Sequence, residues 1–482
     1  MKNIVLLVIG LTICLTSHSQ TKKETLETLF IDWITSVKSG KTSTIQKFVK
    51  DEFADDFISF MTVDKVLNMS MQLHENLPKP FKIDIQYNDG QKIAGLLHNP
   101  KNSLGLIINT LPSGKIRGWS ETEITWNSKN PNRKSQQEIV NYLNRVLDSL
   151  NIEGFSMSVT IGDSRQSFFQ KNIGIANQSF QIPVDASTKF NMASSSKMFT
   201  SVAIRILEAQ GKLKLSDPVV NYLNLSLDPT ITIADLLNHT SGLKTFFSSE
   251  FWLSSKADLQ SWHDLLDYAD LSVKKLEETA YFYSNTGFLL LGLIIEQVTG
   301  DSYQSVLQKN IFRPADMSKT LAVNKYQSTS KKATGYTRVY PVVDSLKASV
   351  EFQQKRLSEA TFPNDFFSNT VSSPAGGMYT VSDDLFNFIK FVASGLMSKE
   401  TTPNMMRQRT VRHFSFIETK GYNNGFEVNT YKDQSYWGHS GSIPGFNSIA
   451  YHFPTIDVTI VILSNSDDQA NKLFAMLKDF LF

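Results

Sequence analysis

A polar, turn-rich stretch at residues 113–134 divides the 482-residue chain into two regions with different patterning. The stretch includes Gly114 and Pro131 among several serines and asparagines, and such residues favour turns over regular elements. A chain of this length also exceeds the usual size of a single domain. We therefore interpret 113–134 as a linker that joins an accessory domain over 20–112 to a larger domain over 135–482.

The first nineteen residues have the pattern of a secretory signal peptide. Lys2 provides the positive start, residues 4–15 form a short apolar run, and Ser17-His18-Ser19 is a small-x-small cleavage pattern before Gln20. The run is shorter than the roughly 20 residues that a membrane-spanning helix needs. The sequence therefore predicts a cleaved signal peptide over 1–19 and a periplasmic or secreted protein without a transmembrane segment.

Cys14 is the only cysteine, and it lies inside the predicted signal peptide. A lipoprotein signal requires a small residue before its cysteine, whereas Ile13 is large, so the sequence argues against lipid anchoring. Once the signal is cleaved no cysteine would remain, which excludes disulfides and thiol chemistry from the mature chain.

Residues 20–112 have the pattern of a small α+β unit. An apolar stripe at helical spacing runs from Leu26 to Val37 and ends at Gly40, and apolar residues alternate between Phe81 and Tyr87 as in a half-buried strand. Asn88-Asp89-Gly90 is a hairpin signal, and two further strands are expected at 93–97 and 104–108. Helices followed by a meander resemble the cystatin-like rolls attached to exported hydrolases. The unit's ligand is left open.

The charge pattern of the chain limits the classes of partner that it could bind. The net charge is +2 and no block of like charges occurs, so there is no strong field for nucleic acid or acidic lipid. The sequence has no His-Glu-x-x-His segment and no other histidine–carboxylate spacing typical of a metal site. We expect no cofactor, no metal and no nucleic-acid partner, and a small molecule or a peptide as the substrate.

Ser194 and Lys197 form a Ser-x-x-Lys motif at the start of an apolar helical pattern that continues to about Gln210, just before Gly211. Residues three apart share one face of a helix, so the hydroxyl and the amine are expected side by side. A serine hydroxyl becomes an effective nucleophile only beside a base. The motif therefore predicts a nucleophilic Ser194 activated by Lys197.

The Ser-x-x-Lys spacing alone is not specific. It begins at five positions, namely Ser19, Ser194, Ser241, Ser272 and Ser328. A serine–lysine hydrolase also needs a second proton-handling group, polar contacts for the substrate and two donors for the oxyanion. The motifs downstream must therefore decide which copy is functional.

Two later motifs could supply these groups. Tyr283-Ser284-Asn285 is the only Tyr-x-Asn copy that is followed by a glycine and a strongly apolar helical pattern, over residues 288–298. His439-Ser440-Gly441, followed by Ser442, precedes the last clear strand pattern at 458–463, and its glycine permits close approach of a ligand to the backbone. The order Ser194–Lys197, Tyr283–Asn285, His439–Gly441 singles out the serine at 194.

This order resembles the penicillin-recognising serine hydrolases, on the class C β-lactamase side. Three flanking stretches also match the habits of that family: Ile231–Leu243, Ser373–Asp384 and Gly438–Phe446. The resemblance covers about residues 135–482. It implies an α/β (α+β) fold of the serine β-lactamase and DD-peptidase type, in which a sandwich of antiparallel sheet and helices stands beside a helical region.

The resemblance also implies roles for the residues. Ser194 would attack a carbonyl and form an acyl-enzyme, and Lys197 and Tyr283 would share the acid–base work, with the lysine charge favouring a tyrosinate. Asn285 would hold a substrate amide. The backbone N–H groups of Ser194 and Ser442 would form the oxyanion hole.

One residue departs from the class C pattern, in which a lysine stands where this chain has His439. Histidine is mostly neutral at pH 7, so it lacks the permanent charge that binds a substrate carboxylate. With Gly441, it makes the substrate-binding motif resemble that of D-amino-acid peptidases and DD-carboxypeptidase-like enzymes. The sequence therefore favours a D-peptidase or esterase over a true β-lactamase. A non-catalytic penicillin-binding-like sensor is the alternative of a different class.

Overall fold

The computed structural model describes residues 25–482 apart from 56, 59–61, 78–80, 89–91, 99–102, 112, 124–133, 249, 252–253, 255–258, 276–280, 323–328, 345–348, 355–361, 364–370, 395–409, 415–417 and 433. The predicted signal peptide lies outside these residues, as do Asp89 and Gly90 of the predicted hairpin. The chain divides into two compact units, one up to Asn130 together with His413–Thr419 and one formed by the remaining residues.

The first unit consists of helices followed by an antiparallel meander. Its helices are α1 (25–38), α2 (Thr42–Glu52) and α3 (Val63–Asn76), and its strands are β1 (Lys82–Asn88), β2 (Lys92–His98), β3 (Ser103–Thr110) and β4 (Ile116–Glu123). The strands pair in sequence order. Trp33, Val49 and Leu73 from the helices share one core with Ile93 and Ile108 of the sheet, so the helices cover a face of the meander.

The predicted linker begins too early. Strand β4 lies inside 113–134, and its first residue, Ile116, is fully buried in the core of the first unit. Ser113 and Gly114 form the tight turn before β4, in which Gly114 has a φ of 85° and donates to the carbonyl of Leu111. The turn residues were interpreted as a linker because a hairpin and a linker share the same composition. Residues 124–133 lie outside the described part.

The second unit contains the larger share of the regular elements. Its helices, with 3₁₀ and π turns unlabelled, are α4 (Gln136–Ile152), α5 (Lys197–Ala209), α6 (Ile233–Asn238), α7 (Asn285–Thr299), α8 (Tyr303–Leu307), α9 (Ser382–Ala393) and α10 (Gln469–Leu481). Its strands are β5 (Met157–Gly162), β6 (Ser167–Ile173), β7 (Ile175–Asn177), β8 (Ile182–Pro183), β9 (Phe190–Asn191), β10 (Tyr336–Thr337), β11 (Val339–Asp344), β12 (Ser349–Gln354), β13 (Phe362–Pro363), β14 (Tyr379–Thr380), β15 (Thr410–Phe414), β16 (Glu418–Asn423), β17 (Phe426–Tyr431), β18 (Gln434–Ile443), β19 (Phe446–Phe453) and β20 (Val458–Ser464).

An eight-stranded sheet forms the centre of this unit, in the order β15-β16-β17-β18-β19-β20-β5-β6. Strands β19 and β20 are buried at every position, which requires cover on both faces of the sheet. Helices α9 and α10 pack against these strands. Helices α5, α6, α7 and α8 form the separate helical region. The predicted sandwich of antiparallel sheet and helices beside a helical region is therefore confirmed.

Local sequence signals explain the helices that position the site. Helix α7 begins at Asn285, where the Ser284 hydroxyl caps the Gly287 N–H, and it ends at Gly300, whose φ of 72° suits a glycine stop. Ten of its residues are buried, so it lies inside the helical region rather than on its surface. In the described part of the chain, none of the helices combines the length and the apolar character needed to cross a membrane.

Candidate active site

Ser194 lies in a strained turn at the N-terminal end of α5. A 3₁₀ turn over Ala193–Ser196 leads directly into the helix, so the predicted helix start is shifted by three residues. Ala193 has a φ of 46°, which is unfavourable for a residue with a Cβ. The side chain of Asn191 accepts from the Ala193 N–H at 2.9 Å, and the Ser196 hydroxyl donates to the Ala193 carbonyl at 2.8 Å. These bonds hold the turn that presents Ser194.

Lys197 is fully buried beneath the serine. Its Nζ lies 3.2 Å from Ser194 Oγ, 2.7 Å from Asn285 Oδ1 and 2.5 Å from the carbonyl oxygen of Ala375. The four groups form what we call the polar floor: Ser194, Lys197, Asn285 and the Ala375 carbonyl. The structure thus brings three of the predicted residues into one hydrogen-bonded cluster.

Burial lowers the pKa of Lys197 well below its usual value of 10.5, because the ammonium form is desolvated. In the structure the Nζ donates to the oxygens of Ser194, Asn285 and Ala375. Loss of one proton would leave the amine with two N–H donors and one lone pair, so that Asn285 and Ala375 would hold the donors and the lone pair would face the hydroxyl of Ser194. The lowered pKa also weakens the positive charge on which the predicted tyrosinate at Tyr283 depends.

Tyr283 lies next to Lys197 with its ring face towards the amine. The Nζ is 4.9 Å from the centre of the Tyr283 ring. The centre of the His239 ring lies 4.2 Å from the centre of the Tyr283 ring. The His239 Nδ1 accepts from the Ser284 N–H at 3.1 Å. His239 is fully buried and ends α6 with a left-handed φ of 58°. It therefore holds the Tyr283–Asn285 segment against the site, as a structural histidine.

Strand β18 passes beside the nucleophile at Gly441. A Cβ built on Gly441 would lie 2.2 Å from the Met192 carbonyl and 3.1 Å from the Ser194 nitrogen. Only glycine allows this approach. The approach brings Ser442, the next residue of β18, to the same cleft as Ser194.

Two buried serines fasten β18 and β19 to the nucleophile turn. The Ser195 hydroxyl lies 3.1 Å from the His439 carbonyl and 2.9 Å from the Ser448 hydroxyl. The Ser448 hydroxyl donates to the Met192 carbonyl at 2.8 Å. The spacing between the strand and the turn is therefore fixed by hydrogen bonds on both sides of Gly441.

His439 is placed differently from the predicted substrate contact. Its side chain is only 2% exposed, and its Nε2 lies 3.0 Å from the hydroxyl of Tyr422. Its Nδ1 contacts the Ser440 carbonyl and lies 3.7 Å from Glu427. The residues that line the cleft in the described part do not include it. The sequence motif could not show this, because whether a strand side chain faces a cleft depends on packing.

A cleft that opens to solvent and has a cavity volume of about 90 Å³ lies at the polar floor, since Ser194, Asn285 and Ala375 are among its lining residues. One side of the cleft is what we call the aromatic wall, made of Phe246, Phe247 and Phe251 with Leu265. The three phenyl rings contact one another at centroid distances of 4.5 to 5.5 Å. The lining residues also include Val371, Gly376 and Gly377 from one loop and Ser442 and Ile443 from β18.

Sequence reasoning missed several of these groups. The Ala375 carbonyl has no signature, since any residue supplies one, although Gly376-Gly377 marks a tight turn, in which Gly377 has a φ of 87°. Tyr422 begins another Tyr-x-Asn copy, which has no further signal around it. The signal that could have identified the wall is the adjacent pair Phe246-Phe247. In the structure only one of the two rings is buried, since Phe246 is 3% exposed whereas Phe247 is 37% exposed.

The described residues contain no group of three or more His, Cys, Asp and Glu side chains arranged to hold a metal ion. The polar floor also has no carboxylate. The donors around Ser194 are amines, amides and backbone groups, and these suit nucleophilic attack and proton transfer.

Comparisons with known proteins agree with this geometry. The family model described as Beta-lactamase matches residues 144–476. Penicillin-binding protein 4* of Bacillus subtilis is 28% identical over 337 residues, which is 67% of this chain and 71% of that protein. The crystal structure of a penicillin binding protein from Bacillus halodurans superimposes with a TM-score of 0.58 at 22% identity, covering 70% of this chain and 99% of that one.

A further structural neighbour is a D-amino acid amidase from Ochrobactrum anthropi SV3, solved in complex with L-phenylalanine. It has a TM-score of 0.57 at 23% identity and covers 71% of this chain and 97% of that chain. At this identity the likeness concerns the fold. The match to the family model extends over more than half of the chain, so this protein belongs to the Beta-lactamase family of serine hydrolases.

Proposed function

We propose that the protein is an exported serine hydrolase that forms an acyl-enzyme at Ser194 and cleaves amide or ester bonds, as a D-peptidase of the DD-carboxypeptidase-like kind or as an esterase. One observation carries the proposal. The buried Nζ of Lys197 donates to the oxygens of Asn285 and Ala375 and stands 3.2 Å from Ser194 Oγ. This arrangement makes the lysine a general base for the serine.

Acylation then follows from the polar floor. As Ser194 Oγ bonds to the substrate carbonyl carbon, its proton passes to the lone pair of Lys197 Nζ. The carbonyl oxygen becomes an oxyanion, for which the backbone N–H groups of Ser194 and Ser442 are the donors. Each such donor is worth about 3–4 kcal/mol to the transition state. Collapse of the intermediate breaks the bond to the leaving nitrogen or oxygen.

The leaving group needs a proton, which the Lys197 ammonium or the Tyr283 hydroxyl returns. Hydrolysis of the acyl-enzyme runs through the same groups in reverse roles, with water in place of the leaving group. Burial favours the return of the proton, because the Lys197 ammonium is poorly solvated in its site. Asn285 Nδ2, which lies 3.0 Å from Thr245 Oγ1, has a second hydrogen for a substrate carbonyl.

The substrate assignment is supported by the relatives and by His439. The relatives are named as penicillin-binding proteins and as a D-amino acid amidase. A β-lactam carries a carboxylate, and His439, whose side chain is only 2% exposed, is not among the described residues that line the cleft. An amidase, D-peptidase or esterase is therefore favoured over a β-lactamase.

A covalent probe tests the proposal. The mature protein is incubated with a fluorophosphonate and its intact mass is measured, with Ser194→Ala and Ser272→Ala, which starts another Ser-x-x-Lys copy, as paired variants. We expect one adduct on the wild type, none on Ser194→Ala and one on Ser272→Ala. An unmodified wild type would indicate a non-catalytic binding protein, and an adduct that survives Ser194→Ala would refute the assigned nucleophile.

Export and the accessory unit belong to the same proposal. Residues 1–19 would be removed on export, which leaves Gln20 as the first residue. Mass spectrometry of the protein from the periplasm or culture medium of an expressing bacterium tests this. A full-length chain that stays in the cytoplasm would contradict it. The first unit would serve an accessory or binding role, and its cystatin-like character stays a prediction.

A further inference from the structure

We propose that the cleft selects substrates with a bulky, uncharged apolar group beside the scissile carbonyl, and that the aromatic wall binds this group. The inference rests on the proposed function, because it specifies the substrate class of the same site. Of the activities in the proposed function, it favours cleavage of uncharged esters and amides over a DD-carboxypeptidase reaction, because the peptide substrate of a carboxypeptidase bears a carboxylate next to the cleaved bond.

The wall is preorganised. Phe246 and Phe251 are 3% and 1% exposed and belong to the core of the second unit, whereas Phe247 is 37% exposed at the cleft. The ring of Phe247 contacts both others, at 4.5 Å and 5.2 Å. The exposed ring is thus supported from behind by two fixed rings. A substrate group that stacks on it buries apolar surface without ordering the wall first.

The wall is also tied to the catalytic residues. Thr245, which precedes the phenylalanine pair, accepts from Asn285 Nδ2 at 3.0 Å. The Lys244 carbonyl lies 3.3 Å from the Ser284 hydroxyl, and the His239 carbonyl accepts from the Phe282 N–H at 2.8 Å. Two of these bonds therefore join the loop that carries Phe246 and Phe247 to the Tyr283–Asn285 segment, and the third joins the preceding residue, Phe282, to the end of α6. A group bound on the wall would be positioned relative to Ser194.

The charge of the cleft carries the second half of the proposal. The described residues that line it include no lysine, arginine or histidine side chain and no carboxylate. Apart from Ser194, Ser373, Ser442 and Asn285, the lining side chains are apolar or absent. A carboxylate placed there would lose hydration without gaining a cationic partner among these residues, which is unfavourable.

Two series of substrates test the proposal, since the apolar group can lie on either side of the scissile bond. The first holds the leaving group constant, with p-nitrophenyl esters of acetic, butyric, phenylacetic and glutaric acid. The second holds the acyl group constant, with the acetates of methanol and benzyl alcohol. Each kcat/KM is divided by the rate of hydroxide hydrolysis, which removes intrinsic reactivity.

We expect at least a tenfold preference for the aromatic member in one series, since apolar pockets discriminate by roughly 10–200-fold for each added group. The glutaryl ester, with its carboxylate, should react more slowly than the butyryl ester. Phe247→Ala should lower about tenfold the ratio of kcat/KM for the aromatic member to kcat/KM for the smallest member of the same series. Phe247→Leu should keep most of this ratio. Phe180→Ala, a matched change of a 76% exposed phenylalanine outside the cleft, should leave it unchanged.

An unchanged ratio in both series for Phe247→Ala would overturn the proposal, and so would a preference for the glutaryl ester. The fluorophosphonate adduct separates this failure from a failure of the proposed function. A variant that forms the adduct on Ser194 but shows no preference refutes the aromatic wall alone. A wild type without the adduct refutes the hydrolase itself.

Discussion

The polar floor and the aromatic wall lie on the same cleft and are built on opposite principles. The floor buries a lysine whose Nζ donates to the oxygens of Asn285, Ala375 and Ser194. The wall has no hydrogen-bonding side chain and presents Phe247 on two buried rings. The floor therefore governs the rate of the reaction, and the wall governs the selectivity between substrates. Changes in the floor should slow every substrate, whereas changes in the wall should alter the ratio between substrates.

The largest effect is expected from Lys197→Met, which keeps the length of the side chain but removes the base. Acylation by every ester in the p-nitrophenyl series should fall by about 10³-fold, within the usual range for a lost general base. Stopped-flow release of p-nitrophenol measures this. Lys212→Met, a change of an exposed lysine, is the control. A loss confined to bulky esters would mean that the floor and the wall are not separate.

A loss of about 10²-fold in kcat/KM is expected from Gly441→Ala. The new Cβ would overlap the Met192 carbonyl and push β18, with Ser442, away from the nucleophile. Gly287→Ala is the matched control, because its Cβ would make only ordinary contacts at 3.6 Å with Leu236. If Gly441→Ala retained activity within twofold, β18 would not be part of the oxyanion site.

The buried lysine should also make stability depend on pH. Because folding lowers the pKa of Lys197, the unfolded chain binds the extra proton, and stability rises with pH from the lowered pKa up to 10.5. The difference in unfolding free energy between the wild type and Lys197→Met should therefore rise by up to about 1.4 kcal/mol per pH unit between pH 7 and 10. Urea unfolding at several pH values checks this. A flat difference would mean that Lys197 keeps its proton.

The smallest effect is expected from Tyr422→Phe, which removes the hydroxyl that contacts His439 Nε2 at 3.0 Å. We assign His439 to positioning β18, so kcat/KM should fall several-fold and stability by about 1–2 kcal/mol. Tyr222→Phe loses a comparable bond, to Asp217, outside the cleft. Tyr222→Phe should lower the free energy of unfolding and leave kcat/KM unchanged. An unchanged kcat/KM for Tyr422→Phe would leave His439 a purely structural residue.

Much of the second unit could be predicted from local signals. The apolar helical pattern at residues 288–298 lies within α7, and the last predicted strand, at 458–463, matches β20 to within one residue. The Ser194–Lys197 pair could be identified because three motifs occur in one order. These features are encoded by residues close together in the sequence or by residue types with one chemical use.

The remaining features depend on packing over long distances. The direction in which His439 points is set by Tyr422 and Glu427, and no periodicity shows that. The lowered pKa of Lys197 arises from burial, and its amine contacts segments as distant as Ala375. Strand β4 was hidden because Ser113-Gly114 has the composition of a linker, whereas Ile116 packs into a core that the sequence does not display.

The central claim is that a neutral Lys197 activates Ser194, and the pH dependence of acylation tests it most directly. The single-turnover rate of Ser194 acylation by p-nitrophenyl butyrate, an uncharged ester, is measured from pH 5 to 11. We predict that the rate rises about tenfold per pH unit at low pH and reaches a plateau with a midpoint well below 10.5, because burial lowers the pKa of the lysine. A rate that still rises through pH 10.5, or one that is unchanged by Lys197→Met, would contradict the account.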